Sequence, residues 1–194
     1  MLISTMLLII TLILLAAGFG KSFQNELGIS RKEMFFIPLS ALFLSPMKIE
    51  FGMESELSAA CMFLPIAYMS IALGGKKGRR DLFMALASAP VVGALAYLPI
   101  FTGKEHFIYL AALLPCVVCV LYGAKAALLS SALAPVFSSL IGTVSAVREF
   151  GSAEYILSEN AAVFTIASFI LLIPVSQFNS FFAEKKAIRQ AHVR

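Results

Sequence analysis

Seven runs of apolar residues fill most of this chain, and short polar stretches that carry most of the charges separate them. A membrane-spanning helix needs roughly 20 apolar residues, within a range of about 17–25. The pattern predicts an all-α, polytopic transmembrane bundle of about seven helices in one domain, 1–194. The predicted segments 1 to 7 cover 2–19, 34–47, 57–73, 82–101, 107–122, 126–147 and 161–178, and a basic tail follows at 179–194.

Segment 2 is the shortest of the seven, at about 14 residues. It reaches both interfaces if Lys32 and Lys48 extend their amines to the polar layer. The alternative is a re-entrant segment, which enters and leaves the membrane on the same side, because apolar runs of about 10–14 residues often form such segments.

The distribution of Lys and Arg between the loops favours seven spans. With seven spans, twelve of the 15 basic residues lie on one side and three on the other. Because cytoplasmic loops are enriched in Lys and Arg, this arrangement predicts an external N-terminus and a cytoplasmic C-terminus.

The composition supports a lipid environment. Apolar residues make up 60% of the chain, charged residues 13%, and the mean hydropathy is +0.91, against about 45–50% and about 25% in soluble domains. The net charge of +4 is explained by the loops and needs no nucleic acid. We expect a multi-pass protein of a prokaryotic cytoplasmic membrane, whose partners are the lipid bilayer and another membrane protein or anionic lipid.

Segment 6 carries small and hydroxyl residues at helical spacing. They are Ser130, Ala134, Ser138 and Gly142 in one row, and Ser131, Pro135, Ser139 and Thr143 in the next. Small residues let helices approach closely, and hydroxyls can bond across the contact. The row is either a packing seam or a hydroxyl-lined path for a small polar solute. Ala85, Ala89 and Gly93 form a similar row in segment 4, which favours packing.

A basic cluster lies between segments 3 and 4. It consists of Lys76, Lys77, Arg79 and Arg80. Its glycines lack the order of a phosphate-binding loop and follow a membrane helix, not a strand. We therefore interpret the cluster as a cytoplasmic turn that contacts anionic lipid or a partner protein.

Groups for acid–base or metal chemistry are missing from the predicted spans. Away from their ends the segments contain no Asp, Glu, Arg or His, and His106 and His192 lie outside them. Cys116 and Cys119 share a helix face, but buried cysteines usually act as small hydrophobes. We therefore expect that the protein is not an enzyme and that it has no catalytic residues, no metal-binding residues and no cofactor.

Five short stretches lie in order along the chain. Leu27-Gly28-Ile29-Ser30 and Leu140-Ile141-Gly142-Thr143-Val144-Ser145 each fit a motif, and three others stand at motif positions: Ser45-Pro46-Met47-Lys48-Ile49-Glu50, Ala60-Cys61-Met62-Phe63-Leu64-Pro65 and Glu159-Asn160-Ala161-Ala162-Val163-Phe164-Thr165. In their order and spacing they resemble a prokaryotic polytopic membrane family known only as a domain of unknown function. The chain departs from the family where Lys48 replaces an Asn and where Val144 and Thr165 replace two Asp; the glycine pairs are also replaced. The resemblance implies a polytopic membrane protein and brings no assigned activity.

Two functions fit these observations. The first is a non-enzymatic accessory membrane protein that binds a partner. The alternative is a permease or channel-like protein for a small neutral solute, with kinked helices and the hydroxyls of segment 6 along its path; segments 2 to 7 all contain proline.

Overall fold

The fold is a helical bundle with one small hairpin. The computed structural model describes residues 2–51, 55–73, 78–101, 111–146 and 159–192. Within these residues the helices are α1 (Leu2–Ala16), α2 (Lys21–Leu27), α3 (Arg31–Leu44), α4 (Ala59–Leu73), α5 (Gly78–Phe101), α6 (Leu114–Tyr122), α7 (Ala124–Ala146) and α8 (Glu159–His192). Strands β1 (Lys48–Phe51) and β2 (Ser55–Ser58) pair antiparallel. The predicted all-α class is confirmed at the level of a helical fold.

The first apolar run forms α1, which ends at Ala16, three residues before the predicted end at 19. The axis turns by 95° between Ile3–Ala16 and Lys21–Leu27. Gly18 and Gly20 lie at the turn with φ of 90° and 93°, a backbone region that glycine adopts without steric cost. This bend therefore coincides with two glycines, whereas α4 and α7 continue through Pro65 and Pro135.

A helix occupies part of the predicted first loop. In α2, Phe23 and Leu27 lie one turn apart and are fully buried. Gly28 ends this helix with φ of 73°. The loop prediction was wrong here because two apolar residues in a polar stretch are enough to anchor one short helix against a core.

A capping box begins α3, three residues before the predicted start at 34. The Ser30 side chain accepts a hydrogen bond from the Glu33 N–H at 3.2 Å, and the Ser30 N–H donates to the Glu33 carboxylate at 2.7 Å. This reciprocal pair satisfies two backbone donors that a helix start leaves free.

Helices α1 and α3 run antiparallel. Thr5 and Ser45 share a hydrogen bond of 3.2 Å at one end of the pair. At the other end Arg31 donates to the carbonyls of Leu15 and Ala16. The two helices contain 15 and 14 residues, which corresponds to about 21–22 Å at 1.5 Å per residue.

Helix α7 lies at the centre of the bundle and contacts α4, α5, α6 and α8. Every side chain of α7 from Ala126 to Ala132 is buried. Helix α8 lies against α1, α2, α4, α6 and α7. It continues as a helix through most of the predicted tail, to His192.

In the described part of the chain, one continuous helix, Asn160–Lys185, is long and apolar enough to cross a membrane. The bent pair of α1 and α2 adds a second only if both halves form one span. By this criterion the seven-span arrangement is not shown, and it stays a prediction.

Candidate functional site

The predicted row of small residues lies at the interface between α5 and α7. Ala85 and Ala89 of α5 are fully buried, as are Ser130, Ala134 and Ser138 of α7. All five positions follow four-residue spacing along their helices. Because residues four apart lie on the same helix face, one stripe of small side chains extends along each helix.

Gly93 lies where α5 and α7 approach each other closely. A Cβ at this position would lie 2.6 Å from the carbonyl oxygen of Ala134 and 3.0 Å from the backbone nitrogen of Ser138. The two backbones are therefore in direct contact there, and no side chain larger than hydrogen fits without a shift. This is the geometry that small residues permit in membrane helix pairs.

A hydrogen bond between side chains also crosses this interface. The hydroxyls of Ser88 and Ser130 are 3.2 Å apart, and the Ser88 hydroxyl also lies 2.9 Å from the carbonyl oxygen of Met84. Ser131 instead donates to the carbonyl of Leu128 in its own helix, at 2.8 Å. Of the two predicted hydroxyls, that of Ser130 forms a hydrogen bond between α5 and α7, and that of Ser131 forms a hydrogen bond within α7.

The remaining predicted site residues are described only in part. Ser139, Gly142 and Thr143 belong to α7, but their surroundings lie outside the described residues. Lys76 and Lys77 also lie outside them. Arg79 and Arg80 are in the first turn of α5, where Arg80 is exposed.

An aromatic cluster joins α2, α4 and α8. Phe23 meets Phe169 edge to face, with ring centroids 5.6 Å apart, and Tyr68 stacks on Phe169 at 4.8 Å. All three rings are almost completely buried. Beyond the apolar runs themselves, no pattern along the chain indicates this cluster.

Three buried hydroxyls have no hydrogen-bond partner within the described structure. They belong to Tyr68, Ser138 and Ser168. Other buried hydroxyls bond to their own helix, as Thr165 does to the carbonyl of Ala161 at 2.8 Å. Sequence reasoning singled out Ser138 but missed Tyr68 and Ser168, because single polar residues in apolar helices are common.

The outer surface contrasts with this interior. The long helices carry large apolar side chains on their outer faces. The exposed fraction is 55–72% for Phe36 and Phe43 on α3, Phe83 and Val91 on α5, and Phe182 on α8. The helix contacts, in contrast, are rich in Ala, Gly, Ser and Thr. A water-soluble protein rarely exposes large contiguous apolar surface.

Little in the described structure points to reactive chemistry. Cys116 and Cys119 are free thiols on α6, the second of them buried. No group of three His, Cys, Asp or Glu residues that could hold a metal ion is found among the described residues.

Comparison of the chain with protein-family models, with curated proteins and with solved structures finds no match. The resemblance to the family of unknown function therefore stays a hypothesis drawn from short motifs.

Proposed function

We propose that this chain is a multi-pass protein of a prokaryotic cytoplasmic membrane, without catalytic activity, that works as an accessory component bound to a partner membrane protein. One observation carries the membrane part of the proposal: small and hydroxyl residues line the contact between α5 and α7, while large apolar side chains such as Phe36, Phe43 and Phe83 are exposed on the outer surface. Lipid supplies the apolar surroundings that such an exterior needs, while helix pairs in lipid associate through small residues.

Helix lengths support more than one crossing. Helices α5, α7 and α8 contain 24, 23 and 34 residues, which corresponds to about 36, 35 and 51 Å at 1.5 Å per residue. The hydrocarbon core of a bilayer is about 30 Å thick. The uncharged stretch 82–101 of α5 and the stretch 126–146 of α7 are each long enough to cross it.

The C-terminal part of α8 is the surface that we propose for the partner. All five residues at 181–185 are exposed, including Phe181 and Phe182. The amine of Lys185 lies 4.6 Å from the centre of the Phe181 ring. A helix of about 51 Å extends well beyond a 30 Å core, so this aromatic and basic end can reach a neighbouring protein at the cytoplasmic interface.

Site-specific photo-crosslinking in intact membranes tests this function. A photoreactive phenylalanine analogue at Phe182 is expected to give one discrete protein adduct of reproducible mass. The same analogue at Phe83, which is 69% exposed on α5, serves as the matched control and should give lipid adducts. Only lipid adducts at both positions would contradict the partner proposal.

A small-solute permease is the second candidate, and the unpartnered hydroxyls of Tyr68, Ser138 and Ser168 favour it. Buried polar groups without partners are costly and often mark a place where water or a solute binds. The test replaces Cys61, Cys116 and Cys119 by Ala, introduces Ser138→Cys, and applies a membrane-impermeant maleimide to cells and to inverted vesicles. Labelling from either side supports a path, and protection from both sides supports a dry seam.

A further inference from the structure

A groove lies between the C-terminal end of α1 and the first turns of α3. Its volume is about 480 Å³, within the range of about 300–1,000 Å³ typical of small-molecule sites. It is lined by Leu15, Ala16, Arg31, Lys32, Phe35, Phe36 and Leu39.

The charged and apolar residues occupy different parts of the groove. Arg31, Phe35 and Leu39 follow one another at four-residue intervals and so share one face of α3, with Lys32 and Phe36 in the next row. The two cations are thus at the start of the helix, and the apolar side chains continue from them along its axis. The Phe36 ring is 65% exposed.

The Arg31 side chain is held in position. Its Nη2 donates to the carbonyl oxygens of Leu15 at 3.3 Å and of Ala16 at 3.1 Å. These carbonyls end α1, where a helix leaves its acceptors without intrahelical partners. A guanidinium has five N–H donors, and the Nε and Nη1 donors take no part in these two bonds.

Glu33 is the only acidic residue in the first turn of α3, and its carboxylate binds the N-cap of the same helix. Its carboxylate accepts the Ser30 N–H at 2.7 Å and closes the capping box. The groove lining therefore contains two cations, Arg31 and Lys32, and no acidic residue.

We propose that this groove binds an anionic membrane phospholipid, with the phosphate at Arg31 and Lys32 and one acyl chain along Phe35, Phe36 and Leu39. This inference rests on the proposed membrane location. Guanidinium groups bind phosphate through paired hydrogen bonds, and an acyl chain matches in polarity the apolar side chains that follow the two cations along α3. In the predicted topology this end faces the cytoplasmic leaflet, which carries the anionic lipids.

The test measures lipid binding by the full-length protein in detergent, with native mass spectrometry and either phosphatidylglycerol or phosphatidylcholine of the same chain length. Lys32→Gln keeps the Arg31 bonds and should weaken phosphatidylglycerol binding by about fivefold. Ala16→Phe should occlude the groove without a change of charge and also reduce binding. Lys21→Gln removes an exposed positive charge, five positions after Ala16 in the chain and outside the groove lining, and should leave binding unchanged.

Two results would overturn this inference. One is equal binding of the two lipids, which would remove the role of the cations. The other is an equal loss in Lys21→Gln and Lys32→Gln, which would reduce the effect to general attraction by a basic surface. Failure of the proposed function would give different results. Alkaline carbonate would then wash the protein from membranes, or photo-crosslinking would give no partner adduct.

Discussion

The carboxylate of Glu26 accepts a hydrogen bond of 2.6 Å from the backbone N–H of Ala124, 98 positions further along the chain. Ala124 is the first residue of α7, so its N–H has no acceptor inside that helix. A side chain from α2 thereby caps the central helix of the bundle. The bond also fixes the position of α2, which follows the 95° turn.

Removing this cap should destabilise the bundle. We expect Glu26→Ala to lower the free energy of unfolding by about 1–2 kcal/mol, the usual size of a lost N-cap. Glu26→Gln keeps an acceptor oxygen and should cost less. Thermal unfolding in detergent measures both variants, with Glu184→Gln, an exposed carboxylate on α8, as the control. Equal stability of Glu26→Ala and the control would contradict the role of the cap.

Enlarging Gly93 should separate α5 from α7. A methyl group there would lie 2.6 Å from the Ala134 carbonyl oxygen, and overpacking of this kind typically costs about 1–3 kcal/mol. We expect Gly93→Ala to lower the unfolding midpoint clearly. Ala87→Leu adds a larger group to the exposed side of the same helix and should have little effect; a loss as large as that of Gly93→Ala would argue against the close contact.

Tyr68→Phe separates the structural role of Tyr68 from a transport role. The stack on Phe169 survives the change, while a buried hydroxyl without a partner is removed. If the bundle interior is dry, stability should stay the same or rise by up to about 2 kcal/mol. If a solute path uses this hydroxyl, uptake measured in vesicles falls instead. Tyr122→Phe, at an exposed tyrosine, is the matched control.

Glu33 makes the start of α3 sensitive to acid. The Ser30 N–H and hydroxyl hold the pKa of this carboxyl below its ordinary value of 4.5. Because the folded pKa is lowered, the ionised form stabilises the fold above pH 4.5, and this contribution is lost as pH falls through the folded pKa. We expect the unfolding midpoint of Glu33→Gln to depend less on pH than that of the native chain, between about pH 7 and pH 3. Identical pH profiles for the two proteins would contradict the assignment.

The packing seam was accessible to sequence reasoning because it is a local pattern. Ala85, Ala89 and Gly93 recur every four residues, as do Ser130, Ala134 and Ser138, and the structure brings the two rows to one interface. Whether that interface also passes a solute stays a prediction. The helix formed by α8 extends further than predicted because the basic residues after the apolar run are good helix formers.

Other features depend on contacts that no local pattern contains. The turn at Gly18 and Gly20 lies at the end of an apolar run, so average hydropathy gives no sign of it. The pair of Glu26 and Ala124 joins residues that only the folded chain brings together. The groove beside Arg31 needs the carbonyls at the end of α1 as well as the four-residue pattern of α3.

The most direct test of the central claim measures which residues face lipid. Single spin labels at Phe83 and Lys185 are compared in membranes for collision with oxygen, which concentrates in lipid, and with a water-soluble nickel chelate. An apolar exterior in lipid predicts that the label at Phe83 collides mainly with oxygen and the label at Lys185 mainly with the nickel chelate. Strong nickel collision at Phe83 would mean that this side chain faces water, and it would contradict the membrane bundle.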